Sequence, residues 1–135
     1  MKYDDSTFTY YNPSGAEGPT SIHSLGIDSS GNIWAGSLAN WAYWFDGLQW
    51  NPFWVAVTGI YDPIHAFCTD RNGTFYIGHD KGISTLDGYI WGYYPVGSFA
   101  VDNDNRIWFS TLGLGVYDGL NWKLYTTDDG LLVIR

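Results

Sequence analysis

A ten-residue stretch that occurs three times restricts the fold of this chain more than any other feature of its sequence. The copies are Asp28 to Ser37 (DSSGNIWAGS), Asp70 to His79 (DRNGTFYIGH) and Asp102 to Thr111 (DNDNRIWFST). Each begins with Asp, passes through a polar turn that ends in Gly or Asn, and has an aromatic residue three positions later. These aromatics, Trp34, Tyr76 and Trp108, lie 42 and 32 residues apart.

A second landmark follows each copy at a similar distance. It is an Asp-Gly pair that leads to a tryptophan, and it occurs as Asp46-Gly47 before Trp50, Asp87-Gly88 before Trp91, and Asp118-Gly119 before Trp122. Two motifs that occur in the same order and at similar spacing in three copies indicate a repeat protein, in which each copy is one structural unit.

Composition supports one packed domain and excludes several classes of partner. The 135 residues are 45% hydrophobic and 19% aromatic, which is ample for a core. Thirteen Asp against Glu17 alone, with 17 glycines, indicate many turns and few helices. The net charge of −8 makes nucleic acid and anionic membrane surfaces poor partners. No apolar run approaches membrane-spanning length, so membrane insertion is not expected. The single cysteine, Cys68, is expected to be a buried, inert thiol.

Alternating hydrophobicity and turn residues predict four short strands, a to d, in each repeat. The predicted strands are Ile22–Ile27, Ile33–Ser37, Trp41–Phe45 and Trp50–Trp54; Ile64–Thr69, Thr74–Gly78, Gly82–Leu86 and Ile90–Tyr94; and Ser98–Val101, Arg106–Ser110, Gly115–Tyr117 and Asn121–Tyr125. Four antiparallel strands per repeat are the unit of a β-propeller blade. The predicted fold class is therefore all-β, a partial β-propeller of about three four-stranded antiparallel blades with half-blade strands at its ends.

The predicted organisation is a single propeller domain or segment over residues 1–135. It has a c–d half-blade at 1–11, blades at 21–54, 64–95 and 98–127, and the start of a further strand a at 130–135. Propellers close with four to eight blades. The terminal pieces could meet as an incomplete fourth blade, copies could associate and share a ring, or the chain could be part of a longer array. We favour a segment of a larger ring, with self-association second.

The runs DSSGNIWAGS, FDGLQW, VDNDNRIWFST and GVYDGLNWKLYTTDDGL resemble the two-component regulator propeller repeat. That repeat pairs a D-x-x-G-N-x-W-x-G-T core with a Y-D-G-x-x-W ending and a D-G-L lead into the next blade. The resemblance implies a large propeller of the kind found in extracytoplasmic, periplasmic or secreted sensor portions of bacterial signalling proteins, some of which sense carbohydrate-derived ligands. The chain departs from the pattern at Asn40-Trp41, where the family usually has Gly-Gly, and in the long aromatic connector Asn51 to Pro63.

Candidate ligand-binding residues fall on the loops that emerge at one mouth of the central channel. His23 and His65 occupy the same repeat position at the start of strand a, the innermost strand of a blade. The d–a connectors and b–c loops emerge at the same mouth. The predicted ligand-binding set is His23, Trp41, Trp54, Tyr61, His65, His79, Asp80 and Lys81. Aromatic rings interleaved with His, Asp and Lys suit a polar ligand with apolar faces, such as a sugar.

The sequence supports a metal site or an enzyme less well than it supports ligand binding. The alternating oxygens of Asp102 to Asn105 suit calcium, but the full loop spacing and its closing Glu are absent, and turn chemistry explains the run. A metal held by His23 and His65 lacks a third ligand at the equivalent position. We predict no cofactor, no metal and no catalytic residue. For a lyase or hydrolase, Asp80 beside His79 is the one pair worth testing.

The sequence thus predicts a non-enzymatic ligand-binding or sensor module, with a small molecule or oligosaccharide as ligand. The alternative is a structural module that completes a ring by homo-oligomerisation, and a propeller lyase is a more distant third.

Overall fold

The computed structural model describes residues 2–3, 8–9, 22–37, 42–53, 63–91 and 94–126. Within these ranges the backbone forms fourteen β-strands and no helix. Consequently, no helix long and apolar enough to cross a membrane occurs among these residues.

The strands form three four-stranded sheets and one hairpin, and every pairing is antiparallel. The hairpin joins β1 (Lys2–Tyr3) and β2 (Phe8–Thr9) within the segment where a c–d half-blade is predicted. The first blade comprises β3 (Ser24–Ile27), β4 (Ile33–Gly36), β5 (Ala42–Phe45) and β6 (Trp50–Phe53). The second comprises β7 (Ile64–Thr69), β8 (Phe75–His79), β9 (Gly82–Thr85) and β10 (Gly88–Trp91). The third comprises β11 (Ser98–Val101), β12 (Ile107–Ser110), β13 (Leu114–Tyr117) and β14 (Trp122–Tyr125).

The strands of each blade pair in chain order, which confirms the predicted all-β partial propeller. Most predicted strand ends are correct to within one residue. The exceptions are the start of β3, which was predicted at Ile22 and lies at Ser24, and both ends of β10, which was predicted as Ile90–Tyr94 and is Gly88–Trp91. In the first and third blades the Asp-Gly pair opens a four-residue turn, with Gly47 and Gly119 at φ 98° and 100°. In the second blade a two-residue turn suffices, so Gly88 already pairs with Thr85.

The core lies between blades rather than within one sheet. One buried cluster joins the first and second blades and consists of Trp34, Ala42, Ile64, Phe75 and Ile77. A second joins the second and third blades and consists of Tyr76, Ile83, Val96, Ile107 and Phe109. The strand-b aromatics Trp34 and Tyr76 therefore pack between successive blades. Cys68 is half-buried against the second cluster rather than fully buried, and this burial raises the pKa of its thiol to about 11, in keeping with an inert residue.

Successive blades are also joined by the backbone at the start of strand a. The Ile64 N–H donates to the Ser37 carbonyl at 2.9 Å, and the Val96 N–H donates to the His79 carbonyl at 3.0 Å. Glycine in the preceding strand b makes room for each entering side chain. A Cβ on Gly36 would lie 2.8 Å from the Ile64 Cβ, and one on Gly78 would lie 3.0 Å from a Val96 methyl. These glycines thus set the distance between neighbouring sheets.

The opening Asp of each repeat organises its turn and then binds the repeat's aromatic residue. Asp28 accepts from the backbone N–H of Ser30 and Asn32, and its other oxygen accepts from the Trp34 indole at 2.9 Å. The same bond joins the Tyr76 hydroxyl to Asp70 at 3.1 Å and the Trp108 indole to Asp102 at 2.8 Å. Each aromatic side chain thus donates to the carboxylate six residues earlier in its own repeat.

Because of these bonds, the free energy of unfolding depends on pH. The indole of Trp108, with Arg106, holds the pKa of Asp102 well below its usual range. Partial burial alone would raise the pKa of Asp28, but the bonds from Trp34 and Asn32 lower it. A carboxylate whose pKa is lower in the folded protein than in the unfolded protein stabilises the fold at every pH above its unfolded-state pKa, about 3.9. This contribution is lost as the pH falls through the folded-state pKa.

We therefore expect the free energy of unfolding to be flat from about pH 7 to 5 and to fall below about pH 4. Urea unfolding at stepped pH measures this. The variant Asp28→Asn should show a shallower decline than the parent protein. A stability that stays flat down to about pH 2 would contradict the role given to these carboxylates.

Candidate functional site

The ends of strands a and b meet at one end of all three blades. Strand a starts there and strand b ends there, as shown by the pairs Ser24 with Gly36, Ala66 with Gly78, and Ser98 with Ser110. The b–c turns and the d–a connections emerge at the same end, which we call the mouth. The Asp-led turns occupy the opposite end. The prediction that the b–c loops and the d–a connectors emerge at the same end is therefore correct.

A histidine–aspartate pair is the most distinctive feature of the mouth. His65 is the extra residue of a β-bulge, because Ile64 pairs with His79 while Ala66 pairs with Gly78. Its Nε2 lies 2.6 Å from Oδ1 of Asp80. The side chains of His65 and Asp80 are 28% and 46% exposed, so the pair can be reached from solvent. Bulges commonly redirect a side chain at a functional site.

The side chain of His79 stabilises the turn that carries Asp80. The turn consists of Asp80 and Lys81 alone, because His79 pairs with Gly82 across it. The Lys81 N–H donates to Nδ1 of His79 at 3.3 Å, which places the ring proton on Nε2, where it donates to the Ser84 hydroxyl at 2.9 Å. His79 is only 1% exposed. It was predicted to contact a ligand, but its position is that of a support for Asp80.

The enzyme alternative paired Asp80 with His79, and the structure pairs Asp80 with His65 instead. The physical reason is the alternation of strand β8, which directs His79 inward to Ser84 while the bulge in β7 directs His65 outward.

The remaining predicted residues divide into two groups. His23 and Lys81 are exposed, and both lie at the mouth; the backbone N–H of His23 donates to the Gly36 carbonyl at 2.9 Å. Trp41, Trp54 and Tyr61 lie outside the described residues. The mouth therefore presents His23, His65, Asp80 and Lys81 from two successive blades.

In the third Asp-led turn, where a calcium site was considered, the carboxylate oxygens of Asp102 already accept hydrogen bonds from the protein. Asp102 Oδ1 accepts from the backbone N–H of Asp104 and Arg106, and Oδ2 accepts from Arg106 Nε and the Trp108 indole. Arg106 also lies 3.3 Å from Asp104. In the described part of the chain, no group of three or more His, Cys, Asp or Glu residues is arranged to hold a metal ion.

The sequence analysis named both His65 and Asp80 as candidate residues but did not predict that they contact each other. Ser84 was missed altogether. A bulge cannot be read from the repeat alignment, because His65 and His23 occupy the same alignment position, and among the described strand pairs this register shift occurs at His65. The available signal was the short spacing between His79 and Gly82, which predicts a tight turn that presents Asp80.

The fold and the mouth define the protein as an arc of β-propeller blades with a polar, solvent-accessible end. No protein-family model matches the chain, and no curated protein matches it. Solved structures do match.

The first similar structure is the extracellular domain of BT3049 from B. thetaiotaomicron, assigned as a hybrid two-component system. It has a TM-score of 0.68 and 20% identity over 83% of this chain and 18% of that chain. The second is PorZ, a surface component of the type-IX secretion system of Porphyromonas gingivalis, with a TM-score of 0.65 and 19% identity over 94% and 24% of the two chains. The third is the extracellular domain of BT4673 from B. thetaiotaomicron, assigned as a one-component system, with a TM-score of 0.62 and 20% identity over 87% and 19%. The chain thus shares a fold with about a fifth of each.

Proposed function

We propose that this chain is a non-enzymatic ligand-binding segment of a sensor β-propeller, and that it binds a polar, carbohydrate-like ligand at the mouth. The observation that carries the proposal is the His65–Asp80 pair, which is exposed and held on a bulge and a tight turn. The carboxylate orients the imidazole, so the pair presents a fixed hydrogen-bonding edge to a hydroxyl group.

The surroundings of the pair favour a neutral sugar over an anion or a nucleic acid. The chain carries a net charge of −8, which repels polyanions. Sugars are bound by aromatic faces combined with a few directional polar groups. Lys81 and His23 supply further polar groups at this end, and Trp41, Trp54 and Tyr61 are the aromatic residues that the sequence assigns to the same loops.

Similar structures support a sensor role and an extracytoplasmic location. Two of them are extracellular domains of proteins assigned as two-component and one-component systems, and the third is a bacterial surface component. The family resemblance in the repeat motif implies the same setting. Ligand binding with no chemical step fits this class, and we assign no catalytic residue.

A binding screen with two variants tests the proposal. The probes are neutral gluco-, galacto-, manno- and xylo-oligosaccharides, and binding to the parent protein and to each variant is measured by isothermal titration calorimetry. We expect His65→Ala and Asp80→Asn each to weaken binding by about tenfold or more, because a buried hydrogen bond to a ligand is worth roughly 1–2 kcal/mol. Circular dichroism and urea unfolding should show that both variants remain folded, since these side chains are exposed.

The matched control is Asp87→Asn, which removes the same charge from an exposed turn at the opposite end of the second blade. It should bind the probe as the parent protein does. Binding that is equally strong in His65→Ala would overturn the assignment of the mouth, and so would a loss of the fold in that variant.

A further inference from the structure

The Asp-led turns of successive blades contact one another at the end opposite the mouth. Each turn is closed by a bond from the N–H of its fourth residue to the carbonyl of its opening Asp, at 3.0 to 3.1 Å. The second residue of one turn meets the fourth residue of the next. A Cβ on Gly73 would lie 3.2 Å from the Cβ of Ser29, and Arg71 binds Asn105. The two junctions therefore share one arrangement but differ in its chemistry.

Two hydrogen bonds join the turns of the second and third blades. The backbone N–H of Arg71 donates to Oδ1 of Asn105 at 2.8 Å, and the Arg71 guanidinium donates through Nη1 to the Asn103 carbonyl at 2.6 Å. A bond from a charged donor is stronger than one between neutral groups. One residue of the second blade thus binds the third turn at two of its residues. We call this pair of bonds the Arg71 clasp.

Asn105 has a backbone conformation that glycine adopts in the other two turns. Its φ is 61°, and in the described part of the chain it is the one non-glycine residue at positive φ. Gly31 and Gly73 hold the equivalent positions at φ 85° and 87°. A side chain at positive φ is unfavourable, although less so for Asn than for most residues. Backbone geometry alone would favour glycine, so the bond to Arg71 supplies a reason for Asn at this position.

The first and second blades are joined at the same end by a different bond. The Thr69 hydroxyl donates to the Ile27 carbonyl at 2.5 Å. Thr69 is the last residue of β7, directly before the opening Asp of its turn, and Val101 holds this place at the end of β11. Valine has no hydroxyl, so the equivalent bond to the Thr69 carbonyl is not possible at the second junction. The Arg71 clasp occurs at the junction that lacks this bond.

We propose that the Arg71 clasp is a specificity device that seats the third blade on the second and takes the place of the Thr69 bond. Neighbouring blades present similar apolar surfaces, so a polar contact that one neighbour alone can complete favours the correct pairing. Ser29 holds the place of Arg71 in the first blade, and its short side chain cannot supply the guanidinium bond to Asn103. The proposal is independent of ligand binding at the mouth.

Asn105→Gly separates the clasp from the strain of the backbone. Glycine suits positive φ better than Asn, so strain alone predicts a gain in stability. We expect instead that the equilibrium constant for urea unfolding rises about fivefold, because a hydrogen bond between blades is lost. The Arg71 amide proton, followed by NMR, should exchange with solvent about fivefold faster than in the parent protein. Unchanged exchange at the Arg71 amide would overturn the proposal.

Arg71→Pro removes the clasp from the other side. Proline has no N–H, and it is well accepted at the second residue of a four-residue turn. Combined with Asn105→Gly, it should raise the unfolding constant no further than Arg71→Pro alone, because both changes remove the same bond. Effects that simply multiply would show that the two residues act independently and would overturn the proposal.

The matched control is Ser29→Pro, at the equivalent exposed position of the first turn. No bond from the Ser29 N–H to the second blade occurs among the described residues. We expect the unfolding constant to change less than about twofold, because no bond between blades is lost. A rise as large as in Arg71→Pro would show that proline itself disturbs the turn and would overturn the role given to the Arg71 N–H.

Giving the second junction the chemistry of the first tests whether one bond replaces the other. Val101→Thr, added to Asn105→Gly, supplies a hydroxyl that can donate to the Thr69 carbonyl as Thr69 donates to Ile27. We expect this second change to recover most of the stability lost in Asn105→Gly. Val101 packs against the second buried cluster, so a hydroxyl that found no acceptor there would lower stability further. Such a further loss would overturn the equivalence of the two junctions.

Discussion

Trp34→Ala is expected to lower the free energy of unfolding by about 4 kcal/mol, because it removes a large ring from the junction of two blades. Trp34 is 3% exposed and contacts Phe53 of its own blade as well as Phe67 and Phe75 of the next. Its indole also donates to Asp28, so the truncation leaves a carboxylate without one of its partners. Urea unfolding followed by far-ultraviolet circular dichroism measures the loss.

The matched control is Trp34→Tyr. The second blade has Tyr76 at this position, where the hydroxyl donates to Asp70 at 3.1 Å. Tyrosine therefore preserves a ring and a donor, and we expect a loss of about 1–2 kcal/mol. A Trp34→Ala variant no less stable than Trp34→Tyr would show that the blades do not depend on this ring for their association.

Gly36→Ala is expected to cost about 2 kcal/mol although it adds a single methyl group. The new Cβ would lie 2.6 Å from a methyl and 2.8 Å from the Cβ of Ile64, and would also meet the Ser24 hydroxyl. Ile64 is fully buried and its N–H is bonded to the Ser37 carbonyl, so it has no room to withdraw. The methyl group must push the second blade away from the first.

Gly97→Ala is the control for that substitution. Gly97 precedes strand a of the third blade, and the nearest atom to its added Cβ is the Ser110 hydroxyl at 3.2 Å, which can rotate. We expect a change within about 0.5 kcal/mol, and a small gain from reduced chain entropy is compatible with it. Equal losses at Gly36 and Gly97 would mean that glycine serves backbone flexibility at both sites rather than close approach at Gly36.

The sequence predicted the sheets well because their determinants are local. The alternation of strands b and c, and the Asp-led turns, fixed the strand bounds to within about a residue. The failure at β10 arose because Asp-Gly was expected to open the same turn in each blade, while the second blade uses Leu86-Asp87 as a shorter turn. The turn type depends on which residues face each other across the hairpin, and the motif alone does not contain that information.

The site was predicted less completely because its geometry depends on pairing between strands. His65 and Asp80 are 15 residues apart, and they meet only because a bulge in β7 adds a residue at that point. His79 and Asp80 are adjacent in sequence yet face opposite environments. The opening Asp and the aromatic residue are six residues apart in every repeat, and this constant spacing was visible in the sequence. The structure shows its cause, which is a hydrogen bond from Trp34, Tyr76 or Trp108 to the Asp of the same repeat.

That six-residue spacing has a consequence for how such a protein can grow. Each Asp–aromatic bond is made within a single repeat, so a duplicated repeat brings its own turn and its own positioned ring. Between repeats, a new unit has to supply an aliphatic residue at the start of strand a, as Ile64 and Val96 do, opposite a glycine in the unit before it. Gene duplication can therefore lengthen the array one blade at a time.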